Sequence, residues 1–296
     1  MNKGILFALL ATIGWSFNFI FGRELSSVIP PCTLAAMRWT VAFLAILPFA
    51  LPVLIREREY FKKHLLYYLL ISFFGTTYFN TAMYMAAHAT PALNLSLIAC
   101  TTPIFTIILS RLLFKEAIHS RRIVGISIAL LGVILLLSRG NPDVLTSLSF
   151  NGHDLLMLSS AFAFSVYTLL VRKKPSGNST LSFLAATFGL GLLPIIPASA
   201  WELLHGAEVY FKPELITGLV YMGLIASLLC FWLWGKAVAA IGPAKTTVIY
   251  YSLPFFCGDE AIIFLGEPVT WVHFTAGALI LGGLILATKE RGLKSG

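Results

Sequence analysis

Charged residues are scarce along the whole sequence. Only 11% of the 296 residues are Asp, Glu, Lys or Arg, whereas 58% are apolar and the mean hydropathy is +0.86. A water-soluble globule carries roughly 25% charged residues, so the composition excludes a soluble domain and indicates an integral membrane protein. Because no soluble domain is present to carry a basic face, we expect no nucleic-acid partner despite the net charge of +8.

Cysteines and known catalytic motifs are equally sparse. Four cysteines are scattered along the chain without a CxxC pair or a Cys/His cluster, which excludes a disulfide framework and a metal site. The sequence contains no HExxH and no P-loop, and residues 125–129 only approach GxSxG within a plain apolar run. We therefore predict no cofactor and no enzymatic activity, and an intramembrane enzyme is the disfavoured alternative.

Apolar windows of about twenty residues, the length that crosses the hydrocarbon of a bilayer, recur from end to end. The resulting prediction is an all-α integral membrane protein with ten transmembrane helices, at 4–22, 32–55, 65–87, 91–113, 122–138, 154–171, 180–201, 214–240, 244–266 and 270–288.

The distribution of cations predicts the orientation of these helices. With a cytoplasmic N-terminus, fifteen Lys and Arg residues fall on the inner side and three, Arg23, Arg139 and Lys212, on the outer side. This bias follows the positive-inside rule. We expect a multi-pass protein of the bacterial inner membrane with both termini in the cytoplasm.

An internal duplication relates the two halves of the chain. Pro103 precedes Glu116 by thirteen residues, Pro254 precedes Glu267 by thirteen, and Gly132 and Gly283 follow those glutamates by sixteen, so the offset is 151 throughout. Five spans per repeat is an odd number, so the second copy enters the membrane from the opposite side. Inverted repeats around a central cavity are a feature of secondary transporters. We place the first repeat at 1–146, the second at 147–288 and a cytoplasmic tail at 289–296.

The repeated motifs resemble a known family. TTPIFTIILSRLLFKE followed by GISIALLGVILL, and SLPFFCGDEAIIFLGEP followed by TAGALILGGLIL, resemble the EamA domain, which occurs twice in members of the drug/metabolite transporter superfamily. The resemblance covers nearly the whole chain. It implies a ten-helix basket that exports amino acids or other small metabolites, and YddG-type exporters of aromatic amino acids are one branch. The acidic pair in CGDEAI departs from the apolar filling usual for that helix.

Polar and aromatic side chains near mid-helix predict the substrate pathway. We expect the walls of a central cavity to include Trp15, Asn80, Tyr84, Tyr167 and Trp232, with Asn18 and Lys236 beside them. Arg38, seven residues into the second span, has two interpretations: a cation that snorkels to the outer surface, or a ligand or charge partner within the cavity.

The ninth span offers a second group of candidates. Lys245, Ser252 and Asp259 are seven residues apart and share one helix face. At the 151-residue offset they fall on Asn94, Thr101 and Ile108, so two of the three positions are polar in both repeats. Acids within a membrane are costly and are functional candidates by default. Asp259 or its neighbour Glu260 is therefore expected to carry a coupling charge, with a proton as its partner.

Together these patterns predict a secondary transporter, acting as a monomer, that exports small metabolites such as neutral or aromatic amino acids by alternating access. The alternative within the same fold is an organic-anion or sugar-phosphate exchanger, which the cations Arg38, Lys236 and Lys245 would suit. Acid, base and aromatic groups in one pathway favour the zwitterionic substrate.

Overall fold

The computed structural model describes residues 2–26, 28–90, 92–146, 148, 152–210, 213–257 and 270–288, without the side chains at 19, 20, 22–24, 26, 92–94, 96, 213 and 214. Every regular element within these ranges is helical. The α-helices are α1 Lys3–Ser26, α2 Pro31–Arg56, α3 Arg58–Lys63, α4 Leu65–Ser72, α5 Phe79–Ala87, α6 Ala92–Ala99, α7 Thr102–Phe114, α8 Ser120–Leu137, α9 Pro142–Thr146, α10 Gly152–Arg172, α11 Thr180–Leu204, α12 Pro213–Tyr221, α13 Cys230–Ile241, α14 Pro243–Ile249 and α15 Trp271–Thr288.

Seven stretches of the described chain are long and apolar enough to cross a bilayer: Pro31–Arg56, Leu97–Phe114, Ser120–Leu137, Gly152–Arg172, Thr180–Leu204, Leu215–Ile241 and Trp271–Thr288. The prediction of an all-helical, multi-pass membrane protein is thereby confirmed, whereas the count of ten spans stays a prediction. The predicted fourth and ninth spans are less regular than expected. α6 and α7 are separated at Cys100 and Thr101, and α14 passes into a 3-10 turn at Tyr250–Ser252.

Helices that correspond under the sequence offset pack against each other. α2 lies along α11, and α8 lies along α15. The remaining correspondence is crossed, because α1 packs on α13 while α10, the counterpart of α1, packs on α5, the counterpart of α13. Each of these two contacts therefore joins an equivalent pair of helices, with the roles of the first and second halves exchanged.

Two glutamates join the ends of α2 and α11, which pack antiparallel. Glu202, near the C-terminal end of α11, accepts from the backbone N–H groups of Cys32 and Thr33 at 2.9 Å each. Glu57, at the C-terminal end of α2, accepts from the Ser182 hydroxyl at 2.6 Å and from the Ser179 N–H at 3.4 Å. Each acid satisfies N–H groups that its partner helix leaves unpaired and faces the positive end of that helix dipole.

α8 and α15 touch backbone to backbone through glycines. A Cβ built on Gly125 would lie 2.6 Å from the Ala287 nitrogen, and one built on Gly283 would lie 2.5 Å from the Ala129 nitrogen. Without a hydrophobic driving force between membrane helices, such close approach of small residues supplies much of the packing energy.

Two π-helical segments interrupt the helices that surround the centre. Phe73–Tyr78 joins α4 to α5, and Met222–Leu229 joins α12 to α13. A π-helical turn shifts the hydrogen-bond ladder by one residue and is frequent at functional sites. Both segments lie at corresponding positions of the two halves.

Candidate functional site

Arg38 on α2 is the best-defined polar group in the interior. Its side chain is 1% exposed. Nε donates to the Ser227 hydroxyl at 2.6 Å, and Nη1 donates to Asn80 Oδ1 at 3.0 Å and to the Tyr84 hydroxyl at 2.8 Å. Asn80 and Tyr84 belong to the first half of the chain and Ser227 to the second. Arg38 thus lies where the two halves meet, and its burial does not fit the snorkelling interpretation.

The second π-helical segment supplies a backbone acceptor at the same place. The carbonyl of Ala226 accepts from Trp15 Nε1 at 2.7 Å and from Arg38 Nη2 at 3.3 Å. Ser227 donates to the carbonyl of Met222, five residues back, at 2.9 Å, as the wider turn allows. The Ala226 carbonyl in this segment therefore accepts hydrogen bonds from both Trp15 and Arg38.

The charge of Arg38 is balanced by no carboxylate in the part of the chain that the structure describes. Its acceptors there are two hydroxyls, one amide and one carbonyl, all neutral. An arginine stays protonated in proteins, and an uncompensated buried charge costs several kcal/mol. A permanent positive charge is therefore held in the interior of the described structure.

A small central cavity of about 10 Å³ adjoins this arginine. Its lining comprises Trp15, Asn18, Arg38, Phe79, Asn80, Met83, Phe164 and Tyr250. This volume holds at most about one water molecule. Asn18 is 4% exposed, and its Oδ1 has no hydrogen-bond partner among the described residues. The cavity therefore presents one cation, one open acceptor and aromatic walls in a closed form.

A larger cavity, of about 550 Å³, lies near the junction of α10, α11 and α13. Three cations line it, and we call it the basic cavity. Its polar and aromatic lining consists of Arg172, Lys174, Thr180, Phe183, Phe231, Trp232 and Lys236. Arg172 is ion-paired with Glu116. Lys174 follows the span Gly152–Arg172, and burial together with the nearby Lys236 lowers the pKa of Lys174 against the opposing influence of Glu57.

Aromatic rings separate the two cavities. Phe231 lines the basic cavity, and its ring centroid lies 5.8 Å from that of Trp15, which lines the central cavity. Trp39 and Tyr167 enclose the same ring at 5.1 and 5.3 Å. Phe231 therefore joins the lining of the basic cavity to the aromatic wall of the central cavity.

The structure brings only part of the predicted pathway together. The central cavity is lined by Trp15, Asn18, Arg38 and Asn80. Tyr84 does not line it, but its hydroxyl accepts a hydrogen bond from Arg38. The expectation that Trp232 lines the central cavity is wrong. Trp232 is 37% exposed and lines the basic cavity, because Trp234 on the same helix packs against Trp15 and a step of two residues turns Trp232 about 200° away from it.

Other predicted residues line neither cavity. Tyr167 is buried against Gly75, where a Cβ would lie 2.2 Å from its ring. Thr101 and Ser252 donate to backbone carbonyls three residues back, at Ile98 and Ile249, and so satisfy their hydroxyls locally. Lys245 is half-buried near the start of α14. The side chain of Asn94 and the coupling candidates Asp259 and Glu260 lie outside the described residues.

Five residues that contact Arg38 or line the central cavity were not predicted: Ser227, Phe79, Met83, Phe164 and Tyr250. Ser227 had a detectable signal, since at the 151-residue offset it corresponds to Thr76, another hydroxyl in the other π-helical segment. The other four are apolar or aromatic residues within apolar runs, and their spacing gives no indication of a cavity.

Comparisons with known proteins agree with this architecture. A "Probable amino-acid metabolite efflux pump" of Escherichia coli (strain K12) is 26% identical over 96% of this chain and 94% of its own length. A "Probable terminal-alkyne amino-acid exporter" of Streptantibioticus cattleyicolor is 24% identical over 98% of this chain and 95% of its own. A solved structure, described only as "Crystal structure of protein", superposes with a TM-score of 0.75 over 96% of each chain at 18% identity, which shows the fold alone.

The model of the EamA-like transporter family matches residues 2–138 and 152–289. These two segments include most of the chain and the seven membrane-spanning stretches found among the described residues. The protein therefore belongs to the EamA-like transporter family, within the drug/metabolite transporter superfamily, and is a multi-pass membrane protein.

Proposed function

We propose that the protein is a secondary transporter that exports small metabolites bearing a carboxylate, neutral and aromatic amino acids in particular, by alternating access. The single observation that carries this proposal is Arg38, a buried cation held by both halves of the chain and balanced by no carboxylate among the described residues. A substrate carboxylate would pair with the guanidinium in the bidentate geometry that arginine favours. Bound substrate would thus compensate the charge.

The rest of the central cavity suits the remainder of an amino acid. The open Oδ1 of Asn18 can accept from an ammonium group, and Trp15, Phe164 and Tyr250 offer aromatic walls for an apolar side chain. The closed cavity is far smaller than the roughly 300 Å³ of a typical ligand pocket, so binding requires it to open. Relatives named as amino-acid exporters support the same substrate class.

The proposed architecture consists of ten spans in two inverted repeats, 1–146 and 147–288, with a cytoplasmic tail at 289–296. The antiparallel pairing of α2 with α11 and the crossed pairing of α1 with α13 and α10 with α5 support it. Two π-helical segments at corresponding positions fit the same scheme. Central sites between repeats, built on interrupted helices, are usual in secondary transporters.

A second candidate is an exchanger of organic anions or sugar phosphates. The observation in its favour is the basic cavity, with Arg172, Lys174 and Lys236 in its lining. The central cavity favours the amino acid. A phosphate group has no ammonium to donate to Asn18 and no apolar part to pack against the aromatic walls.

Counterflow in proteoliposomes tests the proposed function. Vesicles preloaded with unlabelled substrate should accumulate radiolabelled neutral amino acids, whereas nucleosides and sugar phosphates should stay near the level of protein-free vesicles. An imposed pH gradient, applied to the unaltered protein and to Asp259→Asn and Glu260→Gln, tests our further expectation that one acid carries a proton. Exchange of sugar phosphates without exchange of amino acids would select the second candidate and reject the first.

Fusions to alkaline phosphatase test the orientation, because this reporter is active only outside the cytoplasm. We propose that residues 172–179 lie in the cytoplasm and that the turn after α11 lies outside, following the positive-inside bias. A fusion after Lys174 should be inactive and a fusion after Gly206 active; Gly206 is exposed, with open space around it. Activity after Lys174 would reject the proposed orientation.

A further inference from the structure

The basic cavity contains two cations that are not neutralised by any described carboxylate. The ammonium of Lys174 lies 4.8 Å from the ring centroid of Phe183, and that of Lys236 lies 5.6 Å from the ring of Trp232. Neither lysine has a described carboxylate within 4 Å, whereas Arg172 beside them is paired with Glu116. Aromatic faces hold ammonium groups without cancelling their charge. Neither ring supplies a counter-charge, so both ammonium groups are available to an anionic partner.

Glu57 is the nearby acid, and its oxygens are already engaged. Its Oε2 accepts from Ser182 at 2.6 Å and its Oε1 from the N–H of Ser179 at 3.4 Å, at the N-terminus of α11. It favours the charged form of Lys174 only at a distance, and the balance of burial, Glu57 and Lys236 still lowers the pKa of Lys174. The half-buried Lys174 and the exposed Lys236 thus line one cavity as like charges, and an anion bound between them would be attracted to both.

The cavity has the size of a binding site. Its 550 Å³ falls within the range of roughly 300–1,000 Å³ that is usual for small-molecule pockets. Gly235 lines it, and a Cβ there would meet nothing within 4 Å, so the space beside Lys236 is open. Each ammonium offers three donors and no acceptor, which selects a ligand rich in oxygen acceptors, such as a carboxylate or a phosphate.

We propose that Lys174 and Lys236 form a loading site that captures the oxyanion group of a soluble substrate, separate from Arg38 and divided from it by Phe231. The order of the two sites along an export route rests on the proposed function, but the binding of an oxyanion in the basic cavity does not. The phosphate of a lipid headgroup has the same chemistry, so the experiment must distinguish a soluble oxyanion from a lipid.

The experiment places a reporter cysteine in the cavity wall. Ala239 lines the basic cavity and is exposed there. Ala239→Cys protein in nanodiscs of neutral phosphatidylcholine is treated with an anionic and a cationic methanethiosulfonate reagent. Each rate is normalised to the reaction of free cysteine, and the background of the four native cysteines is subtracted. We expect the anionic reagent to be favoured about tenfold, a ratio that two nearby ammonium groups can produce.

Variants assign this preference to the two lysines. The double variant Lys174→Gln with Lys236→Gln should bring the ratio close to one. The double variant Lys174→Arg with Lys236→Arg keeps both charges and should keep the ratio, which shows that substitution at these positions does not itself disrupt the fold. Lys62→Gln, which alters an exposed lysine already paired with Glu59, should leave the ratio unchanged. A ratio near one in the reporter protein, or an unchanged ratio in the double glutamine variant, would overturn the site.

Protection identifies the source of the oxyanion. Sodium acetate or inorganic phosphate should slow labelling at least threefold relative to sodium chloride of equal ionic strength, and this protection should vanish in the double glutamine variant. Protection only after phosphatidylglycerol replaces the neutral lipid would assign the cavity to a lipid headgroup and overturn the loading role. Because no flux is measured, failure here leaves the exporter proposal standing, and failure of counterflow leaves this site standing.

Discussion

Arg38→Gln is expected to reduce amino-acid counterflow about a hundredfold or more. Glutamine removes the charge and the fork-shaped donor that would pair with a carboxylate, and charge-assisted hydrogen bonds of this kind contribute about 1.5–3 kcal/mol each. A loss of about 2.8 kcal/mol corresponds to a factor of one hundred. Arg38→Lys keeps the charge but loses the bidentate geometry, so we expect an intermediate loss of about tenfold.

The stability of the same variants separates a functional role from a structural one. Arg38 is a buried charge without a described carboxylate partner, so its neutralisation should leave the melting temperature in detergent unchanged or raise it. Arg58→Gln serves as the control, because Arg58 is exposed and borders Glu59 at the surface. A variant at position 38 that loses transport only together with its fold would indicate that the arginine is structural.

Gly283→Leu is expected to prevent α8 and α15 from packing. Any Cβ at this position would lie 2.5 Å from the nitrogen of Ala129 and the carbonyl oxygen of Gly125, and backbone atoms cannot give way as a side chain can. Overpacking of a tight contact costs about 1–3 kcal/mol when neighbours can shift, and here the helices must separate. We expect the variant to lose most of its monodisperse fraction in size-exclusion chromatography.

The adjacent glycine provides the matched control. A Cβ on Gly282 would meet nothing within 4 Å, and this residue lies on the exposed side of α15. Gly282→Leu should therefore behave like the unaltered protein in chromatography and in thermal unfolding. Equal behaviour of the two leucine variants would show that the close contact between α8 and α15 does not hold the bundle together.

Apolar windows predicted the helical class because their physical cause is local: a chain segment in lipid must satisfy its own backbone hydrogen bonds. The duplication likewise identified which helices correspond, and α2 with α11 and α8 with α15 prove to be packing partners. Hydropathy did not predict the break at Cys100 or the π-helical segment Met222–Leu229. Both lie within apolar runs, and a π-helical turn depends on contacts with other helices as well as on the local sequence.

The candidate site was predictable only where a polar side chain stood out against apolar neighbours. Arg38, Asn18 and Asn80 stood out in this way, and all three line the central cavity. Phe79, Phe164 and Tyr250 did not, because an aromatic residue in a membrane helix has the same appearance whether it faces lipid, a neighbouring helix or a cavity. Trp232 and Lys236 were grouped with the central residues, but each is two residues from Trp234, which packs on Trp15, so both lie on the other face of α13 and line the basic cavity.

The most direct test of the central claim compares an amino acid with its amide. In proteoliposome counterflow, corrected for protein-free vesicles, radiolabelled phenylalanine should exchange through the unaltered protein and fail to exchange through Arg38→Gln. Phenylalaninamide, which keeps the ammonium group and the ring but lacks the carboxylate, should exchange through neither. Exchange of the amide as fast as the acid, or exchange of phenylalanine unaffected by Arg38→Gln, would contradict the assignment of Arg38 as the carboxylate site.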